Sequence, residues 1–255
     1  MADNQLSDAE LKRYSRHLLL GKVGEAGQLR LRQASVLIVG MGGLGSPVSL
    51  YLAAAGIGRL VIADDDVVSE SNLQRQIIYG ESQLGEPKVM AAKARLHDLN
   101  SWVQVRPVQR RLSQQVLEME VMQADVVLDC SDNIDTRYAV SDACLKARVP
   151  LVSGAAVGLD GQLMVFDYRQ EDSACYRCLF PQASDAVLNC STAGVLGPMV
   201  GLIGCSQALE AIKLIVGIPS DQVGRFSSFD GISGEWFHLQ MHRLATCSCC
   251  SETSR

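Results

Sequence analysis

The chain is predicted to fold as an α/β protein with a mostly parallel sheet, an antiparallel C-terminal extension and a four-cysteine zinc site. Three observations carry this expectation. Short β-branched runs alternate with helix-length segments through the first 160 residues, the pattern of consecutive β-α-β units. The first run leads straight into Gly40-Met41-Gly42-Gly43-Leu44-Gly45, a glycine turn of the Rossmann type. Two cysteine pairs far apart in the chain, Cys175 with Cys178 and Cys247 with Cys250, can supply four thiolates at the corners of a tetrahedral Zn²⁺ site. A closed four-thiolate shell leaves no position for water or substrate, so the ion would clip the C-terminal end onto an earlier segment.

Taken in order, Ala9 to Leu20 reads as an amphipathic helix carrying Arg13, Arg16 and His17. Ser35-Val-Leu-Ile-Val39 is a continuous apolar run, as expected of a strand buried on both faces of a parallel sheet. The spacing after the glycines predicts a helix from Ser46 to Ala55, with Ser46 as N-cap, Pro47 at its first position and Gly56 as its stop. A second strand, Arg59 to Ala63, ends in Asp64-Asp65-Asp66. Helices over Lys88–Leu99, Gln114–Gln123 and Ile134–Ala147 then alternate with strands over Val103–Pro107, Val126–Cys130 and Leu151–Ser153. From Gly161 the texture changes. Gln162–Phe166, Arg225–Phe229 and Trp236–Gln240 read as antiparallel strands, with a long helical region from Gly194 to Val216 between them. No linker rich in proline or serine interrupts the chain, so residues 1–255 are expected to form one domain, with a nucleotide-binding half (1–160) and a zinc-clipped half (161–255).

Composition narrows the function. With 47% hydrophobic residues the 255-residue chain can bury one substantial core. A net charge of −5 argues against nucleic acid as the main partner, because that binding relies on neutralising phosphates. The polar N-terminus lacks the apolar core of a signal peptide. The most apolar stretch, Ala193 to Ile218, is interrupted by Pro198, Gln207, Glu210 and Lys213 and is read as a buried helix, not a membrane span. Nine cysteines without a secretory signal fit a reducing cytoplasm, where paired cysteines usually serve metals or catalysis. Cys130, Cys144 and Cys205 lie in apolar surroundings and are expected to be inert core thiols.

Gly40-x-Gly42-x-x-Gly45 assigns the first glycine to a tight turn, the second to close approach of phosphate and the third to helix packing, with phosphates on the following helix N-terminus. Asp64 is placed to take the ribose hydroxyls. An NAD(P)-dependent oxidoreductase would use the same turn. Two features favour triphosphate chemistry instead: Arg75 and Lys88 near the phosphates, and spare carboxylates able to hold Mg²⁺. Nothing resembling a proton-relay pair for hydride transfer is evident. A non-catalytic zinc-stapled scaffold is the third reading, and Lys88 and Asp132 count against it.

Gly40-x-Gly-Gly-x-Gly45, Asp64-Asp-Asp66, Ser71-Asn-Leu-Gln-Arg-Gln76, Pro87-Lys88, Leu128-Asp-Cys-Ser-Asp-Asn133 and the two cysteine pairs together resemble the bacterial ubiquitin-activating-like adenylyltransferases. The resemblance runs from Arg13-Tyr-Ser-Arg16 to Cys250. It implies ATP-dependent adenylation of the C-terminal Gly-Gly carboxylate of a small ubiquitin-fold sulfur carrier, with release of pyrophosphate, in molybdopterin, thiamine or related biosynthesis. The C-terminal half would then bind the carrier. By the same resemblance Asp132 holds Mg²⁺, Arg75 and Lys88 contact the phosphates, Asp64 takes the ribose and Asn72 orients the triphosphate. Gly43, Asp66 and Asn133 complete the nucleotide site. Arg16 completes the site of the neighbouring subunit in a homodimer. Cys247 and Cys250 match the family's second zinc pair, and Cys249, an extra thiol between them, could substitute for either.

For Asp132 the plainer reading is an N-cap of the helix that follows. Cys190, in Asn189-Cys-Ser-Thr-Ala-Gly194, is either an inert loop thiol or, as in the thiamine branch, a residue able to form a covalent conjugate with the carrier. Gly161-Gln-Leu-Met-Val165 and the Cys190 segment lean towards the thiamine branch, and Val152-Ser-Gly-Ala-Ala156 towards the molybdopterin branch. Without a rhodanese-like tail, a sulfur donor would be a separate protein.

Overall fold

A computed structural model of the chain describes residues 5–181 and 194–251. Among these, eight strands form one sheet in the order β3-β2-β1-β4-β5-β6-β7-β8. β1 (Ser35–Val39), β2 (Arg59–Ala63), β3 (Gln104–Val108), β4 (Val126–Asp129) and β5 (Leu151–Val157) are parallel. β6 (Asp160–Phe166), β7 (Arg225–Asp230) and β8 (Glu235–Gln240) continue the same sheet antiparallel.

The apolar run of β1 explains the two-sided sheet. Val36 and Ile38 face a core with α4 (Gly45–Ala55), α5 (Lys88–Leu99) and α9 (Gly197–Val216). Leu37 and Val39 face the other core, with α6 (Gln114–Val121), α7 (Ile134–Ala147) and α8 (Tyr176–Leu179). Successive side chains point to opposite faces, so a strand buried on both sides must be apolar at every position. β1 pairs with β2 on one side and β4 on the other, which makes the ends of β1 and β4 a topological switch point where the loops part and leave a crevice.

The long apolar helix α9 has the length and mean hydropathy (1.6) to cross a membrane, yet it packs on the sheet and on α4. Gly204 allows close approach: a Cβ there would lie 2.5 Å from Pro47 Cγ and 2.7 Å from the Leu44 carbonyl oxygen. Its Gln207 is fully buried and donates to the carbonyls of Asp129 (2.9 Å) and Val152 (3.2 Å), stitching the ends of two parallel strands.

Several elements differ from expectation for identifiable reasons. The helix predicted over Ala9–Leu20 is two helices, α1 (Asp8–Arg13) and α2 (Ser15–Leu18), interrupted at Tyr14. Tyr14 is buried, accepts a hydrogen bond from Asn100 Nδ2 (2.9 Å) and packs against Gly56. A helix not anticipated, α3 (Gly24–Gln33), buries Gly27, Gln28 and Leu31 and therefore shows little apolar periodicity. Ser46 is not the cap of α4. The helix starts at Gly45, and Ser46 is buried in the first turn with its hydroxyl donating to the Gly42 carbonyl (2.7 Å). Gly56 does stop it, at φ 82°. β5 runs four residues past Ser153 because its end pairs with β6. Cys130 and Cys144 are buried, whereas Cys205 is half-buried.

Candidate functional site

The glycine turn joins β1 to α4 at the switch point. Gly40 has φ 94°, and a Cβ there would lie 2.7 Å from the Cys130 carbonyl oxygen, so the turn is pressed against the exit of β4. At Gly45 a Cβ would lie 2.1 Å from the Gly40 carbonyl oxygen, which closes the turn on itself. Gly43 backs onto Val200 of α9. Gly42 faces only the Gln76 carboxamide, 3.5 Å from its notional Cβ, so its backbone stays approachable.

The same turn forms one wall of a cavity of about 670 Å³. Gly40, Gly42 and Gly43 line one side, and Asp64, Asp65 and Asp66 come from the end of β2. Asn72, Arg75, Gln76 and Lys88 come from the segment after β2. Ser131, Asp132 and Asn133 follow β4. Leu44, just before α4, also lines the cavity, whereas Gly45 and Ser46 do not.

Each charged group has a defined setting. Asp64 is tied to the turn, one oxygen accepting from the Met41 N–H (2.6 Å) and the other from the Asp66 N–H (2.9 Å). Burial pushes its carboxyl above the usual carboxylate range, against the pull of Lys88 and these two N–H groups. Lys88 is the first residue of α5 and is 4% exposed. A buried cation at a helix N-terminus opposes both solvation and the helix dipole. Its ammonium is held by Asp66 at 2.8 Å, whose own side chain is exposed. Arg75 is half-buried and donates to the Ser71 carbonyl at 3.1 Å. Asp132 is exposed, and among the described residues its carboxylate has neither a hydrogen bond nor an ion pair. The cap of α7 is its neighbour: Asn133 accepts from the Thr136 N–H at 2.9 Å, which removes the capping reading of Asp132.

Among the cavity residues absent from the expected site, Gln76, Arg110, Arg111 and Arg137 matter most for its geometry. Arg110 and Arg111 follow β3 and line the cavity, and Arg111 reaches Asn133 Oδ1 at 3.4 Å. An arginine pair just past the C-terminal end of a parallel strand could have flagged them. Gln76 is buried beside Gly42. Arg137, 1% exposed on α7, spans the carbonyls of Ser131 (2.6 Å) and Gly154 (2.9 Å), with Asp129 at 3.9 Å. It braces the turn that presents Asp132. Arg16 lies exposed on α2 and does not line the cavity of its own chain. Cys190 lies outside the described residues.

The cysteine cluster is built differently. Sγ atoms of Cys175, Cys178, Cys247 and Cys250 all lie within 4.8 Å of one another, and all four residues are buried. Closest separations are 3.5 Å (Cys175–Cys247), 3.3 Å (Cys178–Cys250) and 3.8 Å (Cys175–Cys178). A tetrahedron with Zn–S of about 2.3 Å has edges of about 3.8 Å, so the donor set fits zinc. Backbone N–H groups of Leu244 and Cys249 point at Cys178 and Cys247 sulfurs (3.4 and 3.5 Å), a contact that favours thiolates. Cys249 instead turns its thiol to Asp142 Oδ1 at 3.1 Å.

A Rossmann-like crevice lined by glycine backbone, acids and cations, beside a separate four-thiol cluster whose geometry could hold zinc, defines a protein of the nucleotide-binding α/β class. The model of the ThiF family matches residues 14–250, and the chain belongs to that family. It is 46% identical over 245 residues to the sulfur carrier protein ThiS adenylyltransferase of Escherichia coli K12, covering 96% of this chain and 97% of that one. It is also 47% identical over 250 residues to the adenylyltransferase and sulfurtransferase MOCS3 of Sus scrofa. That match covers 97% of this chain but only 54% of MOCS3. Among solved structures, E. coli MccB superposes with a TM-score of 0.83 at 24% identity, over 94% of this chain and 75% of that one. PaaA gives 0.81 at 22%, over 96% and 77%. These two likenesses show the fold.

Proposed function

We propose that the chain adenylates the C-terminal Gly-Gly carboxylate of a small ubiquitin-fold sulfur carrier with ATP, releasing pyrophosphate. The observation that carries this is the gathering in one cavity of an approachable glycine turn, a ribose-placed acid, uncommitted Asp132 and the cations Arg75, Lys88, Arg110 and Arg111. The family's named adenylyltransferases support the chemistry.

A carboxylate is already ionised near neutral pH, so the reaction needs no general base. The obstacle is charge, because an anion must reach the α-phosphate of a polyanion. Catalysis is then positional and electrostatic. The backbone of Gly42 and Gly43, leading into α4, receives phosphate oxygens. Asp64, fixed on the turn, accepts the ribose hydroxyls. Lys88 and Arg75 spread charge over the phosphates, with Asp66 holding Lys88 in place before the nucleotide enters, and Asn72 orients the chain of phosphates. Asp132, with Asn133 beside it, would hold Mg²⁺, which neutralises phosphate charge when bound. Arg137 does no chemistry but keeps the Ser131–Asp132 turn in place.

Zinc would be held by Cys175, Cys178, Cys247 and Cys250 and would be structural. One domain over residues 1–255 fits the unbroken sheet, with the half after residue 160 receiving the carrier. Exposure of Leu19, Leu20, Tyr51 and Leu209 supports a homodimer, with Arg16 completing the partner's site. The thiamine and molybdopterin pathways are both candidates, with a cytoplasmic enzyme expected in either. The test is intact mass spectrometry of a Gly-Gly carrier incubated with enzyme, ATP and Mg²⁺. A carrier-AMP adduct is the expected product. Tight NAD(H) binding with no adduct would return the chain to oxidoreductase chemistry.

A further inference from the structure

Three side chains beside the cysteine cluster have no role so far: Asp142 on α7, Arg177 and Cys249. Arg177 lies within the first cysteine pair, two residues after Cys175, and Cys249 lies within the second, two residues after Cys247. The two hold the same position in their turns, and both point at one carboxylate. Arg177 Nη2 donates to Asp142 Oδ2 at 2.8 Å, and its Nε lies 3.2 Å from both carboxylate oxygens. The Cys249 thiol donates to Oδ1 at 3.1 Å. One carboxylate thus touches both cysteine turns.

Asp142 belongs to a helix face that seats the first turn. Tyr138, Ser141 and Asp142 share this face of α7, three and four residues apart. The Arg177 guanidinium lies 4.2 Å from the Tyr138 ring centroid, and the Tyr138 hydroxyl donates to the Phe180 carbonyl at 2.7 Å. Ser141 Oγ accepts the Tyr176 N–H at 3.3 Å. A lone half-exposed ion pair contributes little, but this one matters for what it connects. Cys175 and Cys247 are 72 residues apart, so an ion in this cluster must gather two distant segments and keep them together. A fixed acceptor between the two turns reduces what the metal has to organise. Arg177 offsets the carboxylate charge, so this acceptor adds no net negative charge beside metal-bound thiolates.

We propose that Asp142 positions the metal site: its carboxylate joins the two cysteine turns through Arg177 and Cys249, and so tightens the hold on zinc. Cys249 serves as a thiol donor outside the ligand set. The inference is independent of the adenylation reading and rests on the assignment of zinc to Cys175, Cys178, Cys247 and Cys250.

The test is competition for zinc between the full-length, zinc-loaded protein and a chelator of matched affinity, with thermal unfolding alongside. Asp142→Ala should keep its zinc without competitor and bind it at least about tenfold more weakly, the scale on which outer partners of a ligand set act. Cys249→Ala should weaken binding in the same direction. Cys249→Ser, whose hydroxyl can still donate, should stay closer to wild type. The Asp142→Ala/Cys249→Ala double variant should match Asp142→Ala within about twofold, because both changes cut the same tie. Unchanged zinc affinity in Asp142→Ala, with or without a lower melting temperature, would make the carboxylate a tie between α7 and α8 alone and overturn the proposal. Equal zinc affinities in Cys249→Ala and Cys249→Ser would overturn it too, as would effects that multiply in the double variant. Should Asp142→Ala not fold, the comparison of the two Cys249 variants decides by itself. Wild type that holds no zinc would be a failure of the zinc assignment, recognisable by metal analysis before any variant is made.

Discussion

The two functional regions of the molecule spend their polar groups in opposite ways. Around the glycine turn, groups are held in place yet left partly uncommitted: Asp132 has no partner among the described residues, and Gly42 keeps an open face. In the cysteine cluster everything converges inward. Four buried sulfurs face one another, and backbone N–H groups support two of them. Uncommitted polar groups cost stability and are useful only if a ligand arrives, whereas a closed donor set is useful only if it never opens. The first region is built to bind and release, and the second to hold.

The sharpest way to break this contrast is to attack the holding region. Cys175→Ser should lose zinc and destabilise the C-terminal half by several kcal/mol, on the order seen when structural zinc is coupled to folding. Cys249→Ser should keep one zinc per chain, because its thiol faces Asp142. Metal analysis beside thermal unfolding checks both, and zinc retained in Cys175→Ser would remove that residue from the ligand set.

Next in size is Asp132→Ala. Losing the group that places the metal should cost on the order of 100-fold or more in adenylation. Because its carboxylate is exposed and unpartnered, melting temperature should not move, and the two measurements together separate binding from holding. Mixing Arg16→Ala chains with Asp132→Ala chains should recover part of the activity if Arg16 serves the partner's cavity. Subunit exchange without recovery would place Arg16 outside the site.

A smaller effect follows from Asp64. Its carboxyl is raised by burial, so the folded protein favours its protonated form relative to the unfolded chain. Ionised Asp64 is the form that accepts ribose hydroxyls. ATP affinity should therefore fall as pH is lowered, beginning above the ordinary aspartate value of about 4. Sign and group are checked by titration calorimetry across pH: Asp64→Asn should bind more weakly and lose this acid dependence. The opposite slope would remove Asp64 from the ribose role. Smallest is Asn133→Ala, which removes the cap of α7 and should lower stability by about 1 kcal/mol.

Legibility in the sequence tracks how each region is built. β1, β2, α5 and α7 were bounded correctly because two-sided burial forces continuous apolar runs and helix starts follow strong local signals. The thiol cluster was legible because metal geometry restricts spacing. α3 was not, since it packs through Gly27 against Val216 and through buried Gln28, which leave no apolar stripe to read. Ser46 misled because a serine before proline looks like a cap, while the turn needed that hydroxyl on Gly42. Arg110, Arg111, Gln76 and Arg137 were missed because their importance lies in which loops meet at the switch point, a property of the sheet order and not of local pattern.

The central claim, that the open cavity activates a carrier carboxylate with ATP, is tested most directly by exchange of labelled pyrophosphate into ATP. Purified enzyme with Mg²⁺ and a Gly-Gly-ending ubiquitin-fold protein should catalyse exchange, and the same carrier lacking its last glycine should not support it. Exchange that is indifferent to the carrier, or absent while NAD(H) binds tightly, would contradict the account.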